Sequence, residues 1–408
     1  MKGDEKMRPL NLKWKILIVW GVVSALSAMP TGASETGGIT IGDYIFSPSV
    51  TAGLSYNDNV LLGSTDEKSS VIYNYGGSIG FQSKWNRHSI NLDVSAQASQ
   101  YENNLTEDSE SFTYSGSCRV DISDTWHLQV SGSYQDTFEE RQVLEVIQVK
   151  DLTNIQNTRG SVGLFYQGAH WTASARVDTL KMEFEDQQTS ESFVNHDDRD
   201  RQVHDGKLHL GYKFNSQWTF YINSAGNIIE YDETYDDFDH QRDSAGYNIA
   251  FGIQFLLEKI GLSGDVHMGW MEQEYDDPIL GTTTGWDGLV SIGWQATPGF
   301  SLQLFLDREI NETTIPNSAS YITSKADLKA LYRVDDHVSC FGSIGFTRDS
   351  YEGIDLRYKT WQTDIGLTYA FNHQLNLKAV HTYTHRRSNG SSGDWNLNVY
   401  VLSLAYRF

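Results

Sequence analysis

The chain of 408 residues holds two cysteines, six prolines and no apolar stretch that would cross a bilayer as a helix. Its main apolar run, Ile16–Ala28, falls short of the roughly 20 residues a helical span requires, which excludes a helical membrane protein. Cations are also scarce. Thirty-one Lys and Arg against 53 Asp and Glu give a formal charge of -22, so nucleic acid is not an expected partner. The cysteines are Cys118 and Cys340. An oxidising compartment would permit a disulfide, but the strand pattern places the two far apart on the apolar face. Two free thiols acting as small hydrophobes are expected.

Aromatic residues and glycine are abundant: 11 Trp, 22 Tyr, 18 Phe and 35 Gly, with a mean hydropathy of -0.44. Disordered chains are poor in aromatics. Rich in rings and glycine yet polar on average is the composition of a β-protein.

The first 34 residues read differently from the rest. Lys2, Lys6, Arg8, Lys13 and Lys15 precede the run Ile16–Ala28, and small residues follow. This is the pattern of a secretory signal peptide, with cleavage expected after Ala28 or Ala33. Removing its five cations and two acids takes the net charge from -22 to -25. With no cysteine in that segment, a lipoprotein is excluded. Residues 35–46 are read as a short periplasmic lead-in and 47–408 as a single domain.

From Ser47 onward one theme repeats: alternation of apolar and polar residues for 10 to 15 positions, then a break. Val50, Ala52, Leu54 and Tyr56 form one set, and Ile90, Leu92, Val94 and Ala96 another. A period of two is the signature of strands with one apolar face. The breaks alternate in length. Short ones fall near 85–87, 123–125, 167–169, 215–216, 258–259, 297–299, 335–336 and 372–373. Long, acidic ones fall at 57–68, 103–110, 139–156, 185–202, 232–243, 275–284, 308–320, 349–357 and 386–394. The expected fold is therefore all-β, a transmembrane antiparallel up-and-down barrel of about 18 strands of the outer-membrane type, with short turns towards the periplasm. Trp85, Trp126, Trp171, Trp218, Phe300 and Phe371 stand where strands meet short turns, as interface aromatics do. A soluble sandwich or solenoid fits less well, because no fixed internal repeat is present.

The end of the chain, "NVYVLSLAYRF", puts Tyr400, Leu402, Leu404, Tyr406 and Phe408 on one face. This pattern resembles the assembly signal read by the outer-membrane insertion machinery, which is an expected partner. The last strand should pair with the first and remove the open edge.

If the apolar set faces lipid, the alternate set faces the lumen. It includes Asp93, Arg119, Asp121, Arg176, Asp265, Asp287, Asp307, Asp327, Lys329, Arg333, Asp364 and Lys378, with Phe165, Tyr221, Phe305 and Phe341 as inward rings. A one-residue slip would turn every one of them outward. Barrels of this strand number hold an aqueous channel, so the expected cargo is polar. Catalysis is not expected. Acid and histidine pairs occur in two long loops, at His196-Asp197-Asp198 and Asp239-His240, but no nucleophile elbow or serine triad pattern accompanies them. No cofactor is implied. The acidic stretch from Glu230 to Asp239 lacks the spaced ligands and turn glycine of a dedicated calcium loop. It reads as a solvated loop sharing divalent ions with lipopolysaccharide.

The segment "SPSVTAGLSYNDNVLL", residues 47–62, carries a resemblance. Pro48 opening the first strand, Gly53 midway and Tyr56-Asn57-Asp58-Asn59 at its outer end resemble the putative beta-barrel porin type 2 family. That resemblance implies an outer-membrane barrel associated with exopolysaccharide or capsule production, with periplasmic polysaccharide-export proteins as partners. The leading expectation is a passive conduit through which such a polymer leaves the cell. The rival is a general or sugar-uptake porin passing small polar solutes, narrowed by an inward-folded loop, 139–156 or 185–202. A non-conducting structural barrel is the third reading. Outer-membrane lipid surrounds the barrel in all three.

Overall fold

A computed structural model describes residues 38–139, 141, 152–188, 193–390 and 393–408. The expected signal peptide lies outside them. Eighteen long strands follow one another in antiparallel order. They are β1 (Tyr44–Asn57), β2 (Ser70–Ser83), β3 (Ser89–Tyr101), β4 (Ser109–Asp121), β5 (Trp126–Phe138) and β6 (Asn154–Gln167). Then come β7 (Trp171–Phe184), β8 (Arg201–Lys213), β9 (Trp218–Tyr231), β10 (Ser244–Leu257), β11 (Leu262–Tyr275) and β12 (Thr282–Thr297). The last are β13 (Phe300–Glu312), β14 (Ser320–Arg333), β15 (Val338–Tyr351), β16 (Arg357–Ala370), β17 (Leu375–Ser388) and β18 (Trp395–Arg407).

Every strand pairs with its neighbours in sequence, and β18 returns to β1, with Leu54 opposite Leu402 and Val50 opposite Tyr406. The sheet is a closed barrel. Closure satisfies the backbone groups that lipid cannot hydrogen-bond, and it removes both edges.

Side-chain alternation gives the wall its two faces. Leu92, Tyr114, Val130, Leu208, Phe251, Ile365 and Leu402 are exposed on the outer face, where lipid would cover them. Cys118 and Cys340 share that outer parity on β4 and β15 and are free thiols. Trp85, Trp126, Trp171 and Phe371 are exposed beside the short turns, forming one aromatic girdle. The turn between β10 and β11 closes on Gly261 at φ +65°, where a side chain would also meet the Gln295 carbonyl. Both constraints require glycine there.

Two boundaries differ from the sequence reading. The first strand begins at Tyr44, and Ile39–Ile41 folds back to pair with Tyr44–Phe46, so part of the lead-in already belongs to the sheet. At the other end of the barrel the strands outlast the alternation. β13 runs on to Glu312, and 313–319 is the loop, because backbone pairing continues above the lipid where no solvent imposes a two-residue period.

Candidate functional site: the inner wall and its outer mouth

All twelve candidate lumen charges take the inward parity, opposite the exposed apolar set. Asp93 stands between outward Leu92 and Val94, and Asp364 stands next to outward Ile365. Several are paired along or across strands. Arg119 meets Asp121 at 2.8 Å, Arg176 meets Asp178 at 2.6 Å, and Lys207 reaches the same Asp178 at 3.4 Å. Lys325 meets Asp327 at 3.1 Å. Asp364 accepts hydrogen bonds from the Ser343 and Thr382 hydroxyls, both at 2.7 Å.

The wall formed by β8 to β12 carries a linked polar network. The Tyr221 hydroxyl donates to Asp265, which also accepts from Gln254 at 2.9 Å. His267 lies 3.2 Å from the Tyr221 hydroxyl and 3.6 Å from Asp287, and Asn248 donates to Asp287 at 3.0 Å. On the adjoining wall, strands β13 to β17 form a concavity of about 460 Å³ lined by groups that include Tyr321, Asp327, Tyr351, Asp349 and Asp364.

Three of the inward rings lie against glycines. A side chain at Gly163 would strike the Phe165 ring, one at Gly252 would strike Tyr221, and one at Gly366 would strike Phe341. The glycines let these rings lie flat on the wall instead of crossing the lumen. Phe165 also stacks on His127, with centroids 4.9 Å apart and planes at 5°.

Phe341 differs from the other two in its company. The ammonium groups of Lys329 and Lys378 stand 5.4 and 5.3 Å from its ring centroid. Arg333 on β14 and Arg407 on β18 lie inward closer to the short-turn end, where Arg333, His337 and Arg407, together with Asp335 and Asp336, line a second concavity of about 840 Å³. All four cations are exposed. Among the described residues none of the four has a carboxylate within ion-pair distance, unlike Arg119, Arg176, Lys207 and Lys325. Arg407 follows outward Tyr406 on the terminal strand and so takes the inward parity.

At the long-loop end of the barrel, described loop residues are tied together. Arg242 is buried; it pairs with Asp236 at 2.6 Å and donates to the carbonyls of Thr313, Ser318 and Ile315 at 2.6, 2.9 and 3.3 Å. Loops 232–243 and 313–319 are thereby locked to each other. Arg199 and Glu139 form a second buried pair at 2.5 Å, joining 185–200 to the start of 139–153. Arg141 meets buried Glu107 at 2.6 Å. Most of the expected inward-folding stretch of 139–156 lies outside the described residues. Burial, followed by the charge of Asp237, pushes the Asp198 carboxyl up to about 6, and burial does the same to Asp200.

The local motif falls on the barrel seam. The Asp58 carboxylate accepts from the Asn398 backbone N–H at 2.7 Å and from its amide at 2.8 Å. Buried Asn59 donates to the carbonyls of Gly63 and Asn396, each at 2.9 Å, while the Asn57 side chain accepts from the Asn59 N–H at 2.9 Å. Tyr56 lies 6.5 Å from Tyr400 across the seam. A side chain at Gly53 would come within 2.9 Å of the Leu402 carbonyl, so glycine permits the close approach of first and last strands. At the other end the Phe408 N–H donates to the Pro48 carbonyl at 3.1 Å, and its ring meets Tyr406 edge-on at 4.8 Å. Leu404 sits opposite Ala52 on the same outer face.

No curated protein matches the chain in sequence. Among solved structures, OccAB4 of Acinetobacter baumannii has a TM-score of 0.49 at 10% identity, covering 90% of this chain and 98% of that one. A ferric enterobactin receptor mutant of Pseudomonas aeruginosa scores 0.47 at 7% identity, covering 93% and 81%. The FrpB iron transporter of Neisseria meningitidis scores 0.46 at 8% identity, covering 84% and 62%. Likeness at that level says nothing about what passes through this barrel. The family described as Putative beta-barrel porin 2 matches residues 32–408, and the chain belongs to that family.

Proposed function

We propose that the protein is an outer-membrane passive conduit for a hydrophilic polymer, an exopolysaccharide or capsular chain, moving outward from the periplasm. The observation that carries this reading is the inner wall: rings laid flat on glycines at Phe165, Tyr221 and Phe341, set among charged and hydroxyl groups. Flat rings with polar rims suit pyranose units, whose faces are apolar and whose edges are hydroxylated. Each contact is weak and there are several, as conduction requires, since a solute held tightly would not leave. The polymer would be supplied by periplasmic export partners, and the chain would reach the outer membrane through its signal peptide and the insertion machinery.

Uptake of small polar solutes is the second reading. It is favoured by loops 232–243 and 313–319 being locked to each other, a fixed arrangement at the long-loop end that suits a selective mouth. Deleting the gene and measuring polysaccharide on the cell surface and in the periplasm separates the two. Loss from the surface with periplasmic accumulation, restored by the intact gene, is expected for the conduit. Unchanged polysaccharide together with small-solute conductance in planar bilayers would leave the uptake porin as the better account.

A further inference from the structure

Strand register assembles a feature on the outer surface that the conduit does not use. Arg308 on β13 lies opposite Ser324 on β14, Ser324 opposite Arg348 on β15, Arg348 opposite Lys359 on β16, and Lys359 opposite Arg387 on β17. These positions are far apart in sequence and form one row across five adjacent strands. All have the outward parity of Ile344 and Ile365. Four strand-to-strand steps of roughly 4.8 Å make the row about 19 Å long, slanting with the strand tilt through the extracellular half of the wall.

A row of cations is unusual in a chain with 31 Lys and Arg against 53 Asp and Glu. Among the described residues none of these four cations has a carboxylate within ion-pair distance. Arg308 donates to the Ser324 hydroxyl at 3.1 Å and lies 4.7 Å over the Trp286 ring, and Arg387 donates to His385 at 3.0 Å. Arg348, Lys359 and Arg387 are exposed. Like charges on neighbouring strands repel each other, and cross-strand pairs of one sign destabilise a sheet. An anion bound along the row would relieve that repulsion.

The rows beneath indicate where the anion comes from. One step towards the periplasm, the same outward face reads Leu306, Ala326, Phe346, Trp361 and His385, with Phe346 and Trp361 rings 4.5 Å apart. The step below that begins Leu304, Leu328 and Ile344. Apolar, then aromatic, then cationic is the succession of acyl chains, interface and headgroup.

We propose that this row binds the phosphates of a phosphorylated glycolipid in the outer leaflet, the headgroup lying on Arg348, Lys359 and Arg387 and its acyl chains against Phe346 and Trp361. Guanidinium groups give paired hydrogen bonds to phosphate, and Lys adds a point charge.

The test uses the full-length barrel in detergent, with diphosphoryl lipid A as the probe and native mass spectrometry as the readout. The triple variant Arg348→Gln, Lys359→Gln, Arg387→Gln should weaken lipid A retention about tenfold or more. The inner-wall variant Lys329→Gln, Lys378→Gln should retain it unchanged, and lipid A stripped of phosphate should bind the wild-type barrel no better than the triple variant does. If the triple variant does not fold, the single variants Lys359→Gln and Arg387→Gln should each weaken retention measurably. Retention equal in the outer variants and the wild type, or retention independent of phosphate, overturns the proposal. Inorganic phosphate displacing the lipid only partly, even in large excess, supports a lipid ligand; binding of inorganic phosphate with no lipid retention overturns it.

Discussion

Arg242 shows how much can rest on one side chain. It is the buried cation between two loops, with its charge on Asp236 and its remaining donors on three carbonyls of 313–319. Arg242→Ala would strand a buried carboxylate and leave those carbonyls unpaired, and breaking such a pair costs roughly 3–5 kcal/mol. The expected result is a loosened outer mouth with an intact barrel: faster proteolysis within 232–243 and 313–319, larger or noisier single-channel conductance, and unchanged heat-modifiable migration. Equal protease sensitivity would show that the loops hold without it. Titration acts where 195–200 faces the first of these loops, 232–243. Asp198, held up to about 6 by burial, faces Asp237 and Asp236 as well as Arg199 and Arg242; Asp200, also about 6, faces Asp232, Glu183 and Asp197. Both folded values lie above the ordinary carboxylate value of about 3.9, so the packed loops bind more protons than the released ones. Their contribution to loop packing is complete below about pH 4 and is lost as pH rises through about 6. Hydrogen exchange in 195–200 and 232–243 should slow as pH is lowered from 7 to 5, after correction for intrinsic rates, and Asp198→Asn should flatten that dependence.

At the scale of elements, the strands were legible because lipid on one side and water on the other impose a period of two, and the order of short and long breaks gave the count. The same signal fades where the wall rises out of lipid. Arg308, Glu309, Ile310, Asn311 and Glu312 read as loop in sequence yet pair with Ser324 to Ser320 in the sheet. The seam was only half legible. Leu54, Tyr56, Tyr400 and Leu402 announced two strands, but Asn57-Asp58-Asn59 read equally well as an ordinary strand exit. No local pattern tells that Asp58 will meet Asn398, a partner 340 residues away. That contact supplies the next prediction. Asp58→Ala leaves the Asn398 N–H and amide without their acceptor at the closing pair, a loss of roughly 1–3 kcal/mol. The temperature at which the folded band converts to the unfolded one on gels should drop by several degrees, and Asp58→Asn, which keeps one acceptor oxygen, should drop it less. Identical conversion temperatures for all three would mean that the β1–β18 ladder closes the barrel by itself.

For the whole molecule the distribution of charge along the pore axis matters more than its total. The outer loops are acidic, with Asp232, Glu233, Asp236, Asp237 and Asp239 in one of them. The short-turn end of the inner wall instead presents Lys329, Arg333, Lys378 and Arg407 with no carboxylate in ion-pair distance among the described residues, and Lys329 and Lys378 flank a ring seated on Gly366. A two-residue period gives the parity of these charges but not this polarity, because pairing is decided across strands: Arg176 and Lys207 share Asp178 although they lie on different strands, whereas Lys329 and Lys378 converge on Phe341 from β14 and β17. A negatively charged sugar chain would therefore be drawn in at the short-turn mouth, while the acidic loops would oppose its entry from the other side. Fields of this kind act over roughly 8 Å at physiological salt and weaken as salt rises. In a planar bilayer, an oligouronate added on the short-turn side should block current at lower concentration than when added on the loop side. Lys329→Gln with Lys378→Gln should raise the blocking concentration on the short-turn side several-fold while leaving the loop side unchanged, and 1 M salt should abolish the difference. Symmetric block, or block untouched by the two substitutions, would mean that the cations serve the wall and not the cargo.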